Sequence, residues 1–226
     1  MPAVTLAEMG PSLAARTRFF DDQVLASISG GVGQIVILGA GYDDRALRFR
    51  SAGVRFFELD HPATQADKAR RLRALQADAS EPRLVAADFR HDDVAAVLRG
   101  GGHDAARPSL FICEGLLVYL DQSAIAGLLA GLRSAAAAGS TLAASLAVHR
   151  EGPSSEQVTA IANARRRNGT SEPWRTILPA AAHIGLVEQA GWHVSDTVDA
   201  AQLDPGAPPG RSLLITAGPA RDEQAG

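Results

Sequence analysis

Two glycines end a short apolar run in the segment VILGAGYDDRALRF, which spans residues 36–49. Gly39 and Gly41 flank Ala40, and two aspartates follow. Because glycine has no side chain, such a turn is tight and a ligand can contact its backbone, while the N-terminus of the next helix attracts negative charge. A pyrophosphate would bind there, and so would a carboxylate beside a nucleoside. The dinucleotide fingerprint would place a third glycine at Asp44, whose carboxylate repels a pyrophosphate, so the pattern disfavours NAD.

Acidic residues end the next two apolar runs. Asp60 stands at the tip of VRFFELD, about 20 residues after the glycine turn, where an acid commonly accepts hydrogen bonds from ribose hydroxyls. Glu58 projects to the same side, but Asp60 is freer to reach a ligand, unless it caps a helix that begins near Pro62. Asp88 and Phe89 end the following run, where a carboxylate could accept from an adenine amino group and an aromatic neighbour could cover the base. Asp88 is equally well explained as a turn residue.

A further carboxylate follows the apolar run LFIC. The charge of Glu114 is costly to bury unless a cation lies beside it. An α-ammonium group or a nearby sulfonium would supply that cation, and the alternative is one of the many arginines. A ligand with an amino-acid head, a ribose and an adenine accounts for all of these strand-end residues, and that ligand is S-adenosyl-L-methionine. Tyr119 lies a few residues further along, where it could face the reaction centre.

Predicted strands and helices alternate along most of the chain, which places these residues on a sheet. Apolar runs predict strands at QIVIL, VRFFELD, RLVAAD, SLFICEG, STLAASLAV, WHVSDTV and SLLITAG. Helices are predicted at residues 13–29, from Asp43 or Asp44 to before Gly53, at 62–76, at DDVAAVLRG, at 123–138 and at 179–190. The predicted fold class is α/β, with a Rossmann-like, seven-stranded, mostly parallel sheet, a reversed strand near one edge and helices on both faces.

Residues 1–226 are expected to form a single domain, in which the stretch 150–176 breaks the alternation and is interpreted as a substrate lid. The formal net charge of -3 gives no overall attraction to nucleic acid or anionic membranes, and no apolar run approaches the length of a membrane span. The lone Cys113 excludes an internal disulfide, and no metal-ligand spacing is found. We therefore expect a cytoplasmic protein that acts on a small molecule, with homo-oligomerisation left open.

Five segments together resemble the leucine carboxyl methyltransferase-like family of class I methyltransferases, which use S-adenosyl-L-methionine and include many bacterial small-molecule O-methyltransferases. The matching segments are ARTRFFDD (15–22), QIVILGAGYDDRALRF (34–49), FELDHPATQADK (57–68), VAADF (85–89) and EGLLVYL (114–120). They cover about half of the chain in the order and spacing of the family. The resemblance implies methyl transfer to a carboxylate or hydroxyl oxygen of a small molecule, of the kind found in secondary metabolism.

The resemblance also implies roles for individual residues. An arginine in the helix before the first strand binds the carboxylate of the cofactor, with Arg16 as the better match and Arg18 as the second. An arginine bidentate to a carboxylate is a strong charge-assisted contact. The other roles implied are the methionine part for Gly39, Ala40 and Gly41, the ribose for Asp60, the adenine for Asp88 and Phe89, and the amino group for Glu114.

One feature departs from the family pattern. Family members usually carry a longer region before the arginine-containing segment, and that region helps to close the substrate pocket, whereas only 14 residues precede Ala15 here. The departure implies that the pocket is more open, or that residues 150–176 or a partner subunit close it.

Two residues are candidates for the chemistry itself. Tyr119 is one, and His149 lies just beyond the fifth predicted strand at the ligand-binding edge. His149 could act as a base toward a phenol or an alcohol, whereas a carboxylate acceptor is already ionised and needs none. A surface histidine at a strand end is the competing explanation. Two other functions stay open at this point, an NAD-binding oxidoreductase and a catalytically silent cofactor-binding or scaffold protein.

Overall fold

The computed structural model describes residues 6–74, 82–149, 154–165, 172–204 and 211–220. Within them a seven-stranded sheet carries helices on both faces. The strands are β1 (Gln34–Leu38), β2 (Arg55–Asp60), β3 (Arg83–Ala86), β4 (Leu110–Cys113), β5 (Thr141–Ala147), β6 (Trp192–Asp199) and β7 (Ser212–Pro219). The helices are α1 (Leu6–Ser29), α2 (Arg45–Arg48), α3 (Pro62–Ala74), α4 (Val94–Gly100), α5 (Gln122–Ser134), α6 (Ser155–Arg165), α7 (Ala180–Gln189) and α8 (Ala200–Leu203).

The strand order across the sheet is β3-β2-β1-β4-β5-β7-β6. The first five strands pair in parallel, and β7 runs antiparallel to both β5 and β6. The chain moves outward from β1 to β3 and then crosses over to β4, so the strand order reverses between β1 and β4. Ligands of open α/β sheets bind at such a switch point. The predicted fold class is confirmed, including the reversed strand beside the edge strand.

Two apolar cores cover the two faces of the sheet. One core contains Phe111 and Leu129 and includes Trp192, whose Nε1 donates to the Leu129 carbonyl at 2.9 Å. The other core packs α1 against the opposite face through residues such as Phe20 and Ile35. Every residue of β1 and β4 is buried, as expected for parallel strands covered on both sides. This packing holds the carboxyl ends of the central strands rigidly in place.

Several helices differ from the sequence prediction: α1 begins at Leu6 and not at residue 13, and α8 is not among the predicted helices. The helix after the glycine turn has only the four residues of α2, and a turn in which Val54 N donates to the Ser51 carbonyl at 3.2 Å precedes β2. Helix α5 ends at Ser134 and not near residue 138, and its start is capped by Asp121, whose Oδ1 accepts from Ala124 N at 2.9 Å. These differences concern helices only and leave the predicted sheet unchanged.

The predicted lid at residues 150–176 is described in part, since residues 150–153 and 166–171 lie outside the described residues. Asn163 on α6 binds both main-chain polar groups of Trp174, with Nδ2 donating to the carbonyl at 3.0 Å and Oδ1 accepting from the amide at 2.9 Å. This contact joins α6 to the segment that precedes α7. None of the helices described here combines the length and the apolar character needed to cross a lipid bilayer.

Candidate functional site

The carboxyl ends of β3, β2, β1 and β4 lie side by side at one edge of the sheet. The parallel register pairs Leu38 with Leu59 and Asp60 with Ala86, so the residues after each strand end at similar heights. The structure thereby brings together the glycine turn after β1, Asp60 at the end of β2, Asp88 after β3 and Glu114 after β4. These are the strand-end residues that the sequence predicts as a cofactor site.

The two glycines of the turn are required for different reasons. Gly39 and Gly41 both have positive φ angles, 64° and 48°, which side chains disfavour. A Cβ on Gly39 would lie 2.9 Å from Leu116 Cδ1, whereas a Cβ on Gly41 would meet no atom within 4 Å. The backbone at Gly39 therefore packs closely against the chain that follows β4, and the backbone at Gly41 borders open space that a ligand could enter.

Asp60 ties the glycine turn to the end of β2. Its Oδ2 accepts from Gly41 N at 2.6 Å, and its Oδ1 accepts from His61 N at 2.6 Å. His61 precedes α3, so this amide is not part of the helix. The contacts of Asp60 are therefore not those of a helix cap. Both oxygens retain lone pairs that could accept from hydroxyl groups of a ligand.

Glu114 is held between two arginines. Arg16 Nε lies 2.8 Å from Oε1 of Glu114, and Arg45 Nη1 lies 2.7 Å from Oε2. The Glu114 side chain is 14% exposed and the Arg16 side chain is 30% exposed, so a ligand can reach both. A carboxylate and a guanidinium at this distance provide a negative and a positive partner for a zwitterionic amino-acid group. The arginine pairing that the sequence offered as the alternative for Glu114 is therefore present, and it involves the predicted carboxylate-binding Arg16.

A cleft of about 290 Å³ opens at this point of the sheet edge. Among the residues that line it are Arg16, Gly39, Ala40, Asp43, Arg45 and Glu114. Arg18 is exposed on α1 and does not line this cleft, so the geometry favours Arg16 over Arg18 as the predicted carboxylate ligand. Asp60, Asp88 and Phe89 lie beyond the cleft, on the side of β2 and β3. An adenosine would have to extend in that direction.

Asp88 and Phe89 occupy a turn after β3. Asp88 N donates to Asp92 Oδ2 at 2.8 Å, and Asp88 Oδ1 accepts from Arg90 N at 3.1 Å. Asp88 therefore has the turn contacts that the sequence offered as its alternative role. Phe89 is half-buried and packs against the core. The assignment of both residues to the adenine stays a prediction.

Arg45 is a site residue that the sequence reasoning missed. The residue is buried, with 3% of its surface exposed, and its guanidinium also contacts Asp21 Oδ1 at 2.7 Å and Asp43 Oδ2 at 2.5 Å. Burial alone would lower the pKa of Arg45, but the carboxylates of Asp43, Glu114 and Asp21 outweigh it and raise that pKa above its ordinary value. The only signal in the sequence was the basic residue directly after the two aspartates of the glycine turn.

A second missed feature is the buried ion pair of Glu58 and Lys68 beneath the turn. Glu58 is fully buried, and Lys68 Nζ forms an ion pair with its carboxylate and donates to the Asp43 carbonyl at 2.7 Å. Gln65 Nε2 donates to the Glu58 carbonyl at 2.7 Å. Burial raises the pKa of Glu58 to about 7, and the nearby Lys68 charge offsets part of that rise. Lys68 therefore connects α3 to the chain that leaves the glycine turn.

The two candidate catalytic residues lie toward β5. Tyr119 ends a 3-10 turn, Leu117–Tyr119, that follows β4, and His149 N donates to the Leu178 carbonyl at 3.2 Å just after β5. Neither residue lines the cleft described above. His183 on α7 is buried, and burial lowers its pKa while Nε2 contacts the Ala147 carbonyl at 2.9 Å. The catalytic roles of Tyr119 and His149 stay predictions.

The segment before α7 runs along the sheet edge from the neighbours of Tyr119 to the neighbour of His149. The amides of Arg175 and Thr176 donate to the Val118 carbonyl at 2.8 and 3.2 Å. Thr176 Oγ1 donates to the Leu120 carbonyl at 2.7 Å, and Leu178 forms an isolated bridge with Val148. This crossing segment, residues 172–178, bounds the space above the carboxyl ends of β4 and β5.

Comparison with known proteins agrees with the resemblance inferred from the sequence. A family model described as "Leucine carboxyl methyltransferase" matches residues 2–133, more than half of the chain. The chain is 38% identical over 193 residues to a protein of Mycolicibacterium gilvum and 42% identical over 151 residues to one of Mycolicibacterium smegmatis. Both carry the name "Putative S-adenosyl-L-methionine-dependent methyltransferase". These alignments cover 83% and 66% of this chain but 62% and 50% of the relatives, so the chain spans between half and two thirds of their length.

Solved methyltransferase structures share the fold at low sequence identity. Magnesium protoporphyrin IX methyltransferase of Synechocystis, with bound S-adenosylhomocysteine, gives a TM-score of 0.60 at 12% identity over 92% of this chain and 84% of that one. Human N-acetylserotonin methyltransferase, in complex with S-adenosylmethionine, gives 0.54 at 12% identity over 84% of this chain and 48% of that one. The predicted family is confirmed. The predicted cofactor is confirmed too, because the relatives are named as S-adenosyl-L-methionine-dependent methyltransferases.

Proposed function

The chain belongs to the leucine carboxyl methyltransferase family, and from that premise we propose that it uses S-adenosyl-L-methionine to methylate an oxygen of a small molecule, a carboxylate or a hydroxyl, in secondary metabolism. The observation that carries the proposal is the placement of Arg16 and Glu114, 2.8 Å apart, in a cleft beside the glycine turn. A zwitterionic amino-acid group needs both charges, whereas a pyrophosphate would be repelled by Glu114 and Asp44.

The residues present fit that cofactor along the sheet edge. Arg16 would bind the carboxylate of the methionine part, and Glu114 would bind its ammonium group. Asp60, whose two oxygens already fix the ends of the turn and of β2, would accept from the ribose hydroxyls. The backbone at Gly41 borders open space, which leaves room for the chain between the amino-acid head and the ribose. Asp88 and Phe89 would contact the adenine.

For methyl transfer the protein mainly has to align the acceptor with the methyl group and exclude water from the site. S-adenosyl-L-methionine supplies, when bound, a methyl group on a positively charged sulfur. In the proposed transfer the acceptor oxygen would use a lone pair to form the new carbon–oxygen bond, while the carbon–sulfur bond would break with its electron pair left on sulfur. Correct alignment of two bound reactants contributes about 7–11 kcal/mol to such a step. A carboxylate acceptor releases no proton, whereas a hydroxyl acceptor would pass its proton to His149.

The acceptor would lie beside Tyr119 and His149, under the crossing segment 172–178. The hydrogen bonds that this segment donates to the carbonyls of Val118 and Leu120 hold it close to the sheet edge, which supports a small acceptor over a macromolecular one. The family description names a carboxyl methyltransferase, which supports oxygen as the accepting atom. A catalytically silent cofactor-binding protein is the competing function.

Methyl transfer itself tests this proposal. The purified protein would be incubated with S-adenosyl-L-methionine that carries a radiolabelled methyl group and with a panel of small carboxylic acids, phenols and alcohols. We expect labelled product from at least one class, and mild alkali would distinguish a methyl ester, which releases methanol, from an ether, which does not. Binding of S-adenosylhomocysteine without transfer to any acceptor would favour the silent binding protein.

A further inference from the structure

Arg45 is the most enclosed charged group of the cleft, and it joins three parts of the chain. Its Nε lies 2.7 Å from Asp21 of α1, and its Nη1 lies 2.5 Å from Asp43 of the glycine turn and 2.7 Å from Glu114 after β4. Nη2 also donates to the Thr17 carbonyl at 3.4 Å. With contacts on all sides and a side chain that is 4% exposed, this guanidinium has no room to reorient.

Arg16 differs from Arg45 in each of these respects. It reaches Glu114 from α1 through Nε at 2.8 Å, and its side chain is 30% exposed. Its guanidinium also lies over Gly115, where an added Cβ would be 3.5 Å from the nearest arginine nitrogen. Glu114 therefore has one oxygen against an enclosed arginine and the other against an arginine that solvent can reach.

We propose that Arg45 is a positioning residue that holds Glu114 in place for the amino group of the cofactor, while Arg16 serves the cofactor carboxylate. Arg45 fixes Oε2 of Glu114 relative to the glycine turn, so Oε1 keeps a defined direction toward the cleft. Without Arg45, the carboxylates of Asp21, Asp43 and Glu114 would repel one another, and Glu114 would compete with the ligand for Arg16. This inference rests on the proposed function, because it assumes that the cleft binds an amino-acid head group.

This role of Arg45 can be tested with two ligands, one with the amino-acid head and one without it. S-adenosylhomocysteine carries the amino-acid head, whereas methylthioadenosine has the same nucleoside and thioether without that head. Loss of Arg45 should therefore weaken S-adenosylhomocysteine and leave methylthioadenosine unchanged. A merely structural role of Arg45 would weaken both ligands alike, since a damaged sheet edge would bind neither well.

The experiment is a calorimetric titration of the full chain and its Arg45→Gln variant with both compounds. We expect the variant to bind S-adenosylhomocysteine about tenfold more weakly or worse, as for loss of a hydrogen-bonded charge, with methylthioadenosine affinity unchanged. The matched control is Arg133→Gln, which removes a half-buried arginine that donates to the carbonyls of Gly191 and Ala220 away from the cleft. That control should leave both affinities unchanged.

Arg45→Lys is the second variant, because it keeps a positive charge among the carboxylates of Asp21, Asp43 and Glu114 and should therefore disturb folding less than Arg45→Gln. A lysine cannot reach Asp21 and Glu114 together, so we expect weaker S-adenosylhomocysteine binding and unchanged methylthioadenosine binding here too. Equal weakening of both ligands, or wild-type affinity for S-adenosylhomocysteine in the Arg45 variants, would overturn the inference. Failure of the unmodified protein to bind S-adenosylhomocysteine would instead contradict the proposed function.

Discussion

Gly41 N lies 2.6 Å from Oδ2 of Asp60, and this hydrogen bond joins the turn after β1 to the end of β2. The other oxygen of Asp60 accepts from His61 N at 2.6 Å. Asp60 therefore does two things at once under the proposed function. It fixes the backbone that borders the cofactor, and it presents a carboxylate to the ribose.

Asp60→Ala should weaken S-adenosylhomocysteine binding by about tenfold or more, because hydrogen bonds to a charged group contribute about 1.5–3 kcal/mol. Calorimetric titration measures the change. The matched control is Asp196→Ala on β6, where Oδ1 likewise accepts from the amide of the following residue, Thr197, at 2.8 Å. Unchanged affinity in the Asp60 variant would remove Asp60 from the cofactor site.

The two glycines of the turn should respond differently to alanine. Both changes place a side chain at positive φ, which costs about 1–2 kcal/mol, but only the Cβ at position 39 would lie 2.9 Å from Leu116 Cδ1. Gly39→Ala should therefore lower the free energy of unfolding by about 1 kcal/mol more than Gly41→Ala. Urea denaturation measures both. In a Leu116→Ala background, Gly39→Ala should lower the free energy of unfolding by no more than Gly41→Ala does. A larger loss in that background would contradict the contact between position 39 and Leu116.

Much of this site follows from the order of residues along the chain. Buried strands appear as continuous apolar runs, and parallel strands bring the residues after each run to one edge, so Gly39, Asp60 and Glu114 could be placed together from the sequence alone. Arg45 could not, because an arginine early in a helix is ordinarily solvated. Its burial depends on Asp21 and Glu114, which α1 and β4 bring to it from distant parts of the sequence.

The Glu58–Lys68 pair was missed for a related reason. Strand alternation puts Glu58 on the same side as Asp60, but it does not reveal that α3 covers that side and places Lys68 there. The consequence is a carboxyl whose properties depend on tertiary packing. Its pKa of about 7 in the folded protein is above the ordinary 4.5, which leads to a pH effect on stability.

Between pH 4.5 and about 7 the folded protein keeps a proton on Glu58 that the unfolded chain releases. Stability from this group is therefore present below pH 4.5 and is lost as pH rises to about 7. The unfolding free energy of the wild type minus that of Glu58→Gln should fall by about 1–3 kcal/mol across this range. Urea denaturation at both ends of the range tests it, and a difference that is constant or rises with pH would contradict the raised pKa.

His149→Ala should distinguish the two acceptor classes. A positioned base accelerates proton removal by about 10²–10⁴-fold, so transfer to a phenol should fall by about 100-fold or more in this variant, while transfer to a carboxylate should not change. Initial rates with radiolabelled S-adenosyl-L-methionine measure both. His193→Ala, an exposed histidine on β6, is the control. Equal loss with both acceptors would show that His149 acts on structure or binding and not as a base.

The placement of the cofactor head between Arg16 and Glu114 is tested by the binding of S-adenosylhomocysteine to the wild type and to Glu114→Gln, measured by calorimetry with NAD as a comparison ligand. We expect the wild type to bind S-adenosylhomocysteine and not NAD. We expect Glu114→Gln to weaken the complex by about tenfold or more, because the ammonium group loses its charged partner. Unchanged affinity in a folded Glu114→Gln variant would contradict the placement of the cofactor head between Arg16 and Glu114.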